Sequence, residues 1–446
     1  MPKFAALSLL TLGLLSACSG TVPTAAAPAV QERFASAALV SLKPGDTPKS
    51  LTKAMGGKLL TWDDAGCSEG DAESCTAVLG LNQPVGALTL RALADQTVDI
   101  EPNKDMFSGG GILTATMGGK ISMWSGGKIS MWSGGKISMW SGGEFSLLPE
   151  NSKLWQKIRL EQAQRMAPRL GEGVTVAVID TGLDLQHPAF NGTLADPSTW
   201  YDFFAGDAMP QEEGTFGADA YGHGTNVAGI VLQVAPAAKI MPIRVLGSDG
   251  SGDVIMVAQA IQWAVEHGAN VINLSLGSTE SSKIVQKAIK KASDRQVLVV
   301  SSAGNSNLNK ITYPAAQASR KDYTLGVGSV DLNDVKSTFS NYSGDLELVA
   351  PGEQVYAPAP DGRMAAWSGT SMAAPMVSGG LALGLGQRLA ARTPIKDKDL
   401  AKDLTKAMAE SAADIYEISG NKPFKDKLGK KGRMDLVNFL SNISGD

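Results

Sequence analysis

The run Val174-Thr175-Val176-Ala177-Val178-Ile179, closed by Asp180, decides the fold. It is almost continuously apolar, where a strand with one wet face would alternate, so it reads as a strand of a parallel sheet covered on both faces. Working outward, the same kind of run returns at Lys239-Ile240-Met241-Pro242-Ile243-Arg244-Val245, at Val271-Ile272-Asn273-Leu274-Ser275 and at Val297-Leu298-Val299-Val300-Ser301. Helical segments separate the runs. One spans residues 253–267, with Asp253 placed to cap its start and Gly268 to stop it. Strands alternating with helices predict an α/β fold with a doubly wound parallel sheet across residues 151–446. Ahead of the first strand, Leu154, Trp155, Ile158 and Leu160 have the spacing of a single amphipathic helix.

Upstream lies a smaller pattern over residues 37–105. Strands at 38–42, 59–62, 76–81 and 97–101 and helices at 47–55 and 87–94 follow the order β-α-β-β-α-β, a split βαβ unit of α+β, ferredoxin-like type. Residues 106–150 form a Gly-rich segment in which the octapeptide Gly-Gly-Lys-Ile-Ser-Met-Trp-Ser occurs three times between Gly118 and Ser141. Its period matches no helical solenoid or propeller. Two readings stand: a linker whose length is immaterial, or an accessory strand stack or processing region, since repeated exposed Met and Trp are unusual in a solvated linker.

At the start, Lys3 precedes an apolar run from Phe4 to Leu15, which is too short for a membrane-spanning helix and reads as an export signal over residues 1–18. Leu15-Ser16-Ala17-Cys18 resembles a bacterial lipoprotein box, in which Cys18 is lipidated and anchors the chain to a membrane; the alternative is an ordinary signal peptide cleaved later. Residues 19–36, small and Pro-containing, suit a tether. An exported chain meets an oxidising environment, so Cys67 and Cys75, flanking an acidic stretch, are expected to form a short-loop disulfide rather than a metal site. With 43% hydrophobic and 19% charged residues, the chain is not disordered over most of its length, and a net charge of -4 without a basic stripe sets nucleic acid aside as a partner.

In an open parallel sheet, ligands bind beyond the carboxyl ends of the strands. Asp180, the Ser275-Leu276-Gly277 segment and Asn305 all fall there. Acyl transfer to a side chain needs a nucleophile, a base, a group to orient the base and donors for the oxyanion. Of the three histidines, His267 ends a helix and suits a cap, and His187 precedes a proline in a loop, either supporting the site or merely exposed. His223 sits in Gly222-His223-Gly224-Thr225-Asn226-Val227-Ala228-Gly229, where glycines let the backbone present the ring, and is the best base. Ser371, in Gly369-Thr370-Ser371-Met372-Ala373-Ala374-Pro375, opens an apolar helix whose free amides favour developing negative charge, and Pro375 is expected in its first turn.

Three of these segments, Val178-Ile179-Asp180-Thr181-Gly182, His223-Gly224-Thr225 and Gly369 to Pro375, resemble the signatures of the subtilisin-like proteases (subtilases, peptidase S8), in that family's order Asp, His, Ser. The resemblance implies a serine endopeptidase acting on proteins or peptides, with Ser371 as nucleophile, His223 as base, Asp180 orienting it and Asn305 donating to the oxyanion. It implies that Ser275, Leu276, Gly277, Ala303 and Gly304 line the substrate cleft. It also implies that residues 37–105 are a propeptide that inhibits the enzyme until self-cleavage, the last strand leading a segment into the active site. No cofactor is required. Calcium remains possible without a location, because Ala189 follows His187-Pro188 where many relatives carry a carboxylate, and the helix after His223 lacks the interrupting calcium loop. Asn226 stands where a second histidine is common. A non-catalytic binding lipoprotein and an esterase are weaker alternatives; the latter lacks a Gly-x-Ser-x-Gly elbow at Ser371.

Overall fold

The computed structural model describes residues 33–68, 74–82, 98–108, 149–215, 220–320, 324–390 and 400–444. Cys18, the helix expected at 87–94 and the octapeptide repeats lie outside them.

The N-terminal unit begins with β1 (Ser36–Ser41), α1 (Pro48–Met55), β2 (Lys58–Asp63), β3 (Thr76–Leu81) and β4 (Val98–Pro102). Its antiparallel sheet has the order β2-β3-β1-β4, as a split βαβ unit requires. Thr47 caps α1 by accepting from the Ser50 amide, and Gly56 ends it in the left-handed conformation, so both ends of this short helix are satisfied locally. A disulfide joins Cys67 and Cys75 between β2 and β3. Ordered structure starts earlier than the expected boundary at residue 37: Phe34 and Ser36 are already buried. At the other end, β5 (Asp105–Ser108) crosses the boundary expected after residue 105.

The main unit opens with α2 (Ser152–Lys157) and α3 (Leu160–Met166), where a single helix was expected. Arg159 breaks it at φ 58°. The break lets Ile158 and Leu160 both bury completely while the Arg159 guanidinium holds Asp435 at 3.1 Å. The chain continues through β6 (Thr175–Asp180), β7 (Tyr201–Asp202), α4 (His223–Val234), β8 (Lys239–Arg244), β9 (Ser251–Asp253), α5 (Val254–Glu266), β10 (Val271–Leu274), β11 (Leu276–Gly277), α6 (Lys283–Asp294), β12 (Leu298–Ser302), β13 (Thr324–Val330) and β14 (Leu348–Pro351). It ends with the hairpin β15 (Val355–Ala359) and β16 (Arg363–Trp367), then α7 (Thr370–Ala390), α8 (Leu400–Glu410), β17 (Ala413–Asp414), β18 (Gly432–Arg433) and α9 (Leu436–Ser444). The central sheet has the order β17-β18-β14-β13-β12-β10-β6-β8-β7 and is parallel from β7 to β18.

Helices cover both faces, which is why the strands are apolar on both. One core contains α4 and α7 with Val176, Val178, Val300 and Val327; the other contains α5 and α6 with Ala177, Ile179, Ile272 and Val299. Alternate residues of β6 thus serve opposite cores. Asp253 caps α5 through the Met256 amide, and Gly268, at φ 82°, follows its end.

The N-terminal unit rests on α5 and α6. Phe34, Ala37, Val78 and Met106 join the second core beside Ile255, Ala258, Ile284 and Val285. Glu101 caps α6 from outside, accepting from Ser282 Oγ at 2.6 Å, the Lys283 amide at 2.9 Å and the Ile284 amide at 3.2 Å. The Lys283–Asp99 pair is exposed on both sides and contributes at most about 1 kcal/mol. Burying Phe34 and Met106 contributes about 1.5–3 kcal/mol each, so apolar contact dominates the docking and the carboxylate sets its register.

Candidate active site

Asp180 ends β6, and its carboxylate accepts the Thr181 amide at 2.8 Å, which fixes it at the strand end. Helix α4 starts beside it. Gly222 precedes the helix at φ 94°, a conformation suited to glycine, and leads directly into His223. The helix can come this close only because residue 224 has no side chain: a Cβ there would lie 2.1 Å from the Gly182 carbonyl oxygen. The result is a buried contact of 2.7 Å between His223 Nδ1 and Asp180 Oδ1. Burial works against a charged imidazole, but the charge and hydrogen bond of Asp180, with the charge of Glu212 behind them, outweigh it and hold the His223 pKa above its ordinary value. The edge of this site is aromatic, with the Trp367 ring 5.6 Å from the imidazole.

Ser371 is the second residue of α7 and is 1% exposed. Pro375 lies inside the helix rather than in its first turn, where, lacking an N–H, it leaves the Ser371 carbonyl without its helical partner. Ser275 Oγ donates to that carbonyl at 2.9 Å, Asn273 Nδ2 donates to Ser275 Oγ at 3.0 Å, and Ser378 Oγ donates to Asn273 Oδ1 at 2.8 Å. This buried polar chain ties the end of β10 to the start of α7. The Ser371 hydroxyl itself donates to the Ser275 carbonyl at 3.3 Å, and His223 Nε2 is buried without a partner among the described residues.

Asn305 follows β12, and its Oδ1 accepts from the Thr370 amide and the Thr370 hydroxyl, each at 2.8 Å. That pair of bonds orients the opposite atom, Nδ2. A Cβ on Gly369 would lie 3.1 Å from Asn305 Nδ2 and 3.6 Å from the Ser371 amide nitrogen, so both nitrogens border the space that a side chain at 369 would occupy. Gly277 and Gly304 approach Thr312 from two directions: an added Cβ would meet Thr312 Oγ1 at 2.6 Å or Thr312 Cγ2 at 2.8 Å. Ala303 is fully buried, its carbonyl taken by Asn341 Nδ2 at 3.0 Å.

The segment β5 lies between β11 and β9 in a three-stranded antiparallel sheet, with Phe107 opposite Gly277 and Ser251, Ser108 opposite Leu276 and Met106 opposite Gly252. Such insertion is how an extended peptide is held, by main-chain bonds with pockets for alternate side chains. The sequence reading has a segment following the last strand of the unit but does not identify residues 105–108 as a strand.

These features coincide with matches to known proteins. A family model described as the subtilase family matches residues 171–424. The chain belongs to the subtilase family. Over 224 residues this subtilase is 41% identical to Subtilisin Savinase of Lederbergia lenta, spanning 48% of the chain and 76% of that protein. Over 234 residues it is 37% identical to Thermitase of Thermoactinomyces vulgaris, spanning 50% and 78%. Among solved structures, the prenylagaramide maturation protease PagA superposes with a TM-score of 0.53 at 24% identity, covering 64% of this chain and 99% of that one, which shows a shared fold. The subtilase is a serine endopeptidase.

The remaining histidines are accounted for without chemistry. His267 stacks on Trp263 with ring centroids 3.8 Å apart. His187 is buried, accepting the Ala189 amide on Nδ1 and meeting the Arg363 carbonyl through Nε2 at 2.9 Å. Ala189 has no oxygen-bearing side chain to offer a cation, and α4 runs unbroken. Among the described residues, no group of three His, Cys, Asp or Glu is arranged to hold a metal. Asn226 donates toward the Pro358 and Ala365 carbonyls, anchoring the β15–β16 hairpin. Two participants had no sequence signal: Glu212, in an unpatterned loop, and Trp367, outside the motif around Ser371.

Proposed function

We propose that Asp180, His223 and Ser371 form the catalytic triad of this endopeptidase, and that Asn305 Nδ2 and the Ser371 amide form its oxyanion hole. The observation that carries the reading is the buried Asp180–His223 contact of 2.7 Å. For catalysis the Ser371 hydroxyl turns from the Ser275 carbonyl to His223 Nε2. It then attacks the scissile carbonyl carbon, its proton passing to Nε2. Asp180 keeps the other ring hydrogen on Nδ1, so Nε2 is the basic nitrogen, and it stabilises the imidazolium. The carbonyl oxygen takes up negative charge facing Asn305 and the first-turn amide of α7. Nε2 returns the proton to the leaving amine, and water repeats the sequence to release the acyl group. Residues Ser275, Leu276, Gly277, Ala303 and Gly304 bind the substrate, the first three by strand addition.

The same reading makes residues 33–108 an inhibitory propeptide. Ser108, the end of β5, faces Leu276, the neighbour of Ser275, whose carbonyl accepts the Ser371 hydroxyl. Self-cleavage is therefore assigned to the Gly109-Gly110-Gly111 run that follows β5 in the sequence. The apolar N-terminal run supports export, and Leu15-Ser16-Ala17-Cys18 supports a lipid anchor on Cys18; no helix among the described residues is long and apolar enough to cross a membrane. N-terminal sequencing after expression tests the assignment. The wild type should begin at 109–112 and Ser371→Ala should retain the upstream unit; equal processing of both would contradict it.

A further inference from the structure

Helix α4 presents His223 yet begins at Gly222, which has no side chain to cap it. Its first amides are satisfied from elsewhere in the chain. The Gly224 amide donates to Thr181 Oγ1 at 2.9 Å, and the Thr225 amide donates to Glu212 Oε2 at 3.1 Å. The Thr225 hydroxyl donates to the same Oε2 at 2.9 Å while accepting from the Asp184 amide at 2.9 Å. Glu212 is 3% exposed, and burial pushes its carboxyl pKa up against the lowering effect of bonds from Thr181, Gly222 and Thr225; its other oxygen, Oε1, is buried.

The backbone of Glu212 is held just as firmly. Its amide donates to the Leu183 carbonyl at 2.8 Å and the Leu183 amide donates to the Pro210 carbonyl at 2.9 Å, so the segment runs alongside the turn that carries Asp180. Glu212 therefore joins the two backbone elements whose separation fixes the Asp180–His223 distance. A buried carboxylate is costly unless bonded, and removing one partner of such a set leaves donors stranded. A structural tie alone would not need a charge, since a glutamine fills the same space and its Oε1 can accept the same two bonds. An anion at the start of α4 does something more: it opposes the positive end of the helix and favours an imidazolium nearby.

We propose that Glu212 is a positioning residue of the protease, an anionic cap that holds α4 against the Asp180 turn and favours the protonated form of His223 in the transition state. The inference rests on the reading of His223 as the base. Other charged groups around the pair are Asp180 at the end of β6, Asp184 after it, Tyr221 before α4, Asp361 and Arg363 of the hairpin, and Arg244 of β8. Arg244 is already engaged by Asp202 and Glu213. None of them replaces Glu212 at the helix start.

The test compares wild type, Glu212→Gln, Glu212→Asp and Thr225→Val by kcat and KM across pH, each rate divided by active sites counted with a fluorophosphonate. Glu212→Gln should lose about 10- to 100-fold in kcat with KM nearly unchanged, the scale expected of slight misplacement in a triad. Its acid limb should move to lower pH, because a negative charge beside the imidazole is gone. Glu212→Asp should keep the acid limb of the wild type while losing kcat, and Thr225→Val should lose kcat without moving the limb. An acid limb that stays put in Glu212→Gln, or a loss confined to KM, would overturn the proposal. If Glu212→Gln does not fold, Thr225→Val decides: wild-type kcat there overturns it too. Failure of wild-type protein to label at Ser371 would instead sink the triad reading beneath it.

Discussion

At the residue scale, the assigned roles depend on atoms already aimed by second partners. Asn305 has its oxygen fixed by Thr370, and its nitrogen and the Ser371 amide nitrogen both lie near the position a Gly369 Cβ would take. Asn305→Leu should lower kcat by about 10²–10³, the size of the loss when the matching donor is removed from subtilisin itself, with KM changed little; initial rates on a peptide substrate read both. The pH profile follows from His223. Its pKa is raised, and the base must be neutral, so kcat/KM should fall on the acid side at a higher pH than an ordinary imidazole would give. A limb below the ordinary range would mean that Asp180 and Glu212 do not govern the ring. The positions proposed for catalysis stand out in the sequence by their neighbours, small residues around His223 and a helix start at Ser371. Glu212 was not legible, because nothing in the loop's pattern marks a residue eleven positions before His223 as its neighbour in space.

At the scale of elements, the apolar runs gave away the parallel strands, since burial on both faces leaves no room for alternation. The break at Arg159 was hidden because Ile158 and Leu160 read as part of one face, and only Asp435, far along the chain, supplies the reason for the turn. The strand β5 was hidden differently. Asp105-Met106-Phe107-Ser108 is too short to show a period, and it is extended because the edges of β9 and β11 pair with it. Another element-level link joins the loop after β6 to the β15–β16 hairpin, through His187 and through the Asp361 amide donating to Asp184 Oδ2 at 2.9 Å. Burial is the largest influence on His187 and lowers its pKa, against the raising effects of the Arg363 carbonyl and Asp184. A histidine with a lowered folded-state pKa is protonated more readily when unfolded, so it costs no stability above its ordinary value and progressively more as pH falls below it. Thermal melts should therefore show wild type losing stability below about pH 6.5 more steeply than His187→Asn. Parallel pH dependence in the two proteins would remove His187 from the account.

On the scale of the whole molecule, a small α+β unit sits on two helices of a larger α/β unit, and the strand that follows it, β5, pairs between β9 and β11. The split βαβ order was readable upstream, but the docking was not, because it depends on surfaces that show no periodicity of their own. Met106 is 2% exposed within that junction, and truncating such a side chain costs about 2–5 kcal/mol. Met106→Ala should weaken the docked state, so that activity toward an added peptide appears sooner after refolding than in wild type; an unchanged lag would show that β5 does not restrain the enzyme. The central claim is that this protein is a protease working through Ser371, and covalent labelling with a fluorophosphonate tests it most directly. The account predicts one label per processed molecule, located on Ser371 by peptide mapping and absent from Ser371→Ala. Processed protein that takes no label, or label that persists in Ser371→Ala, would contradict it.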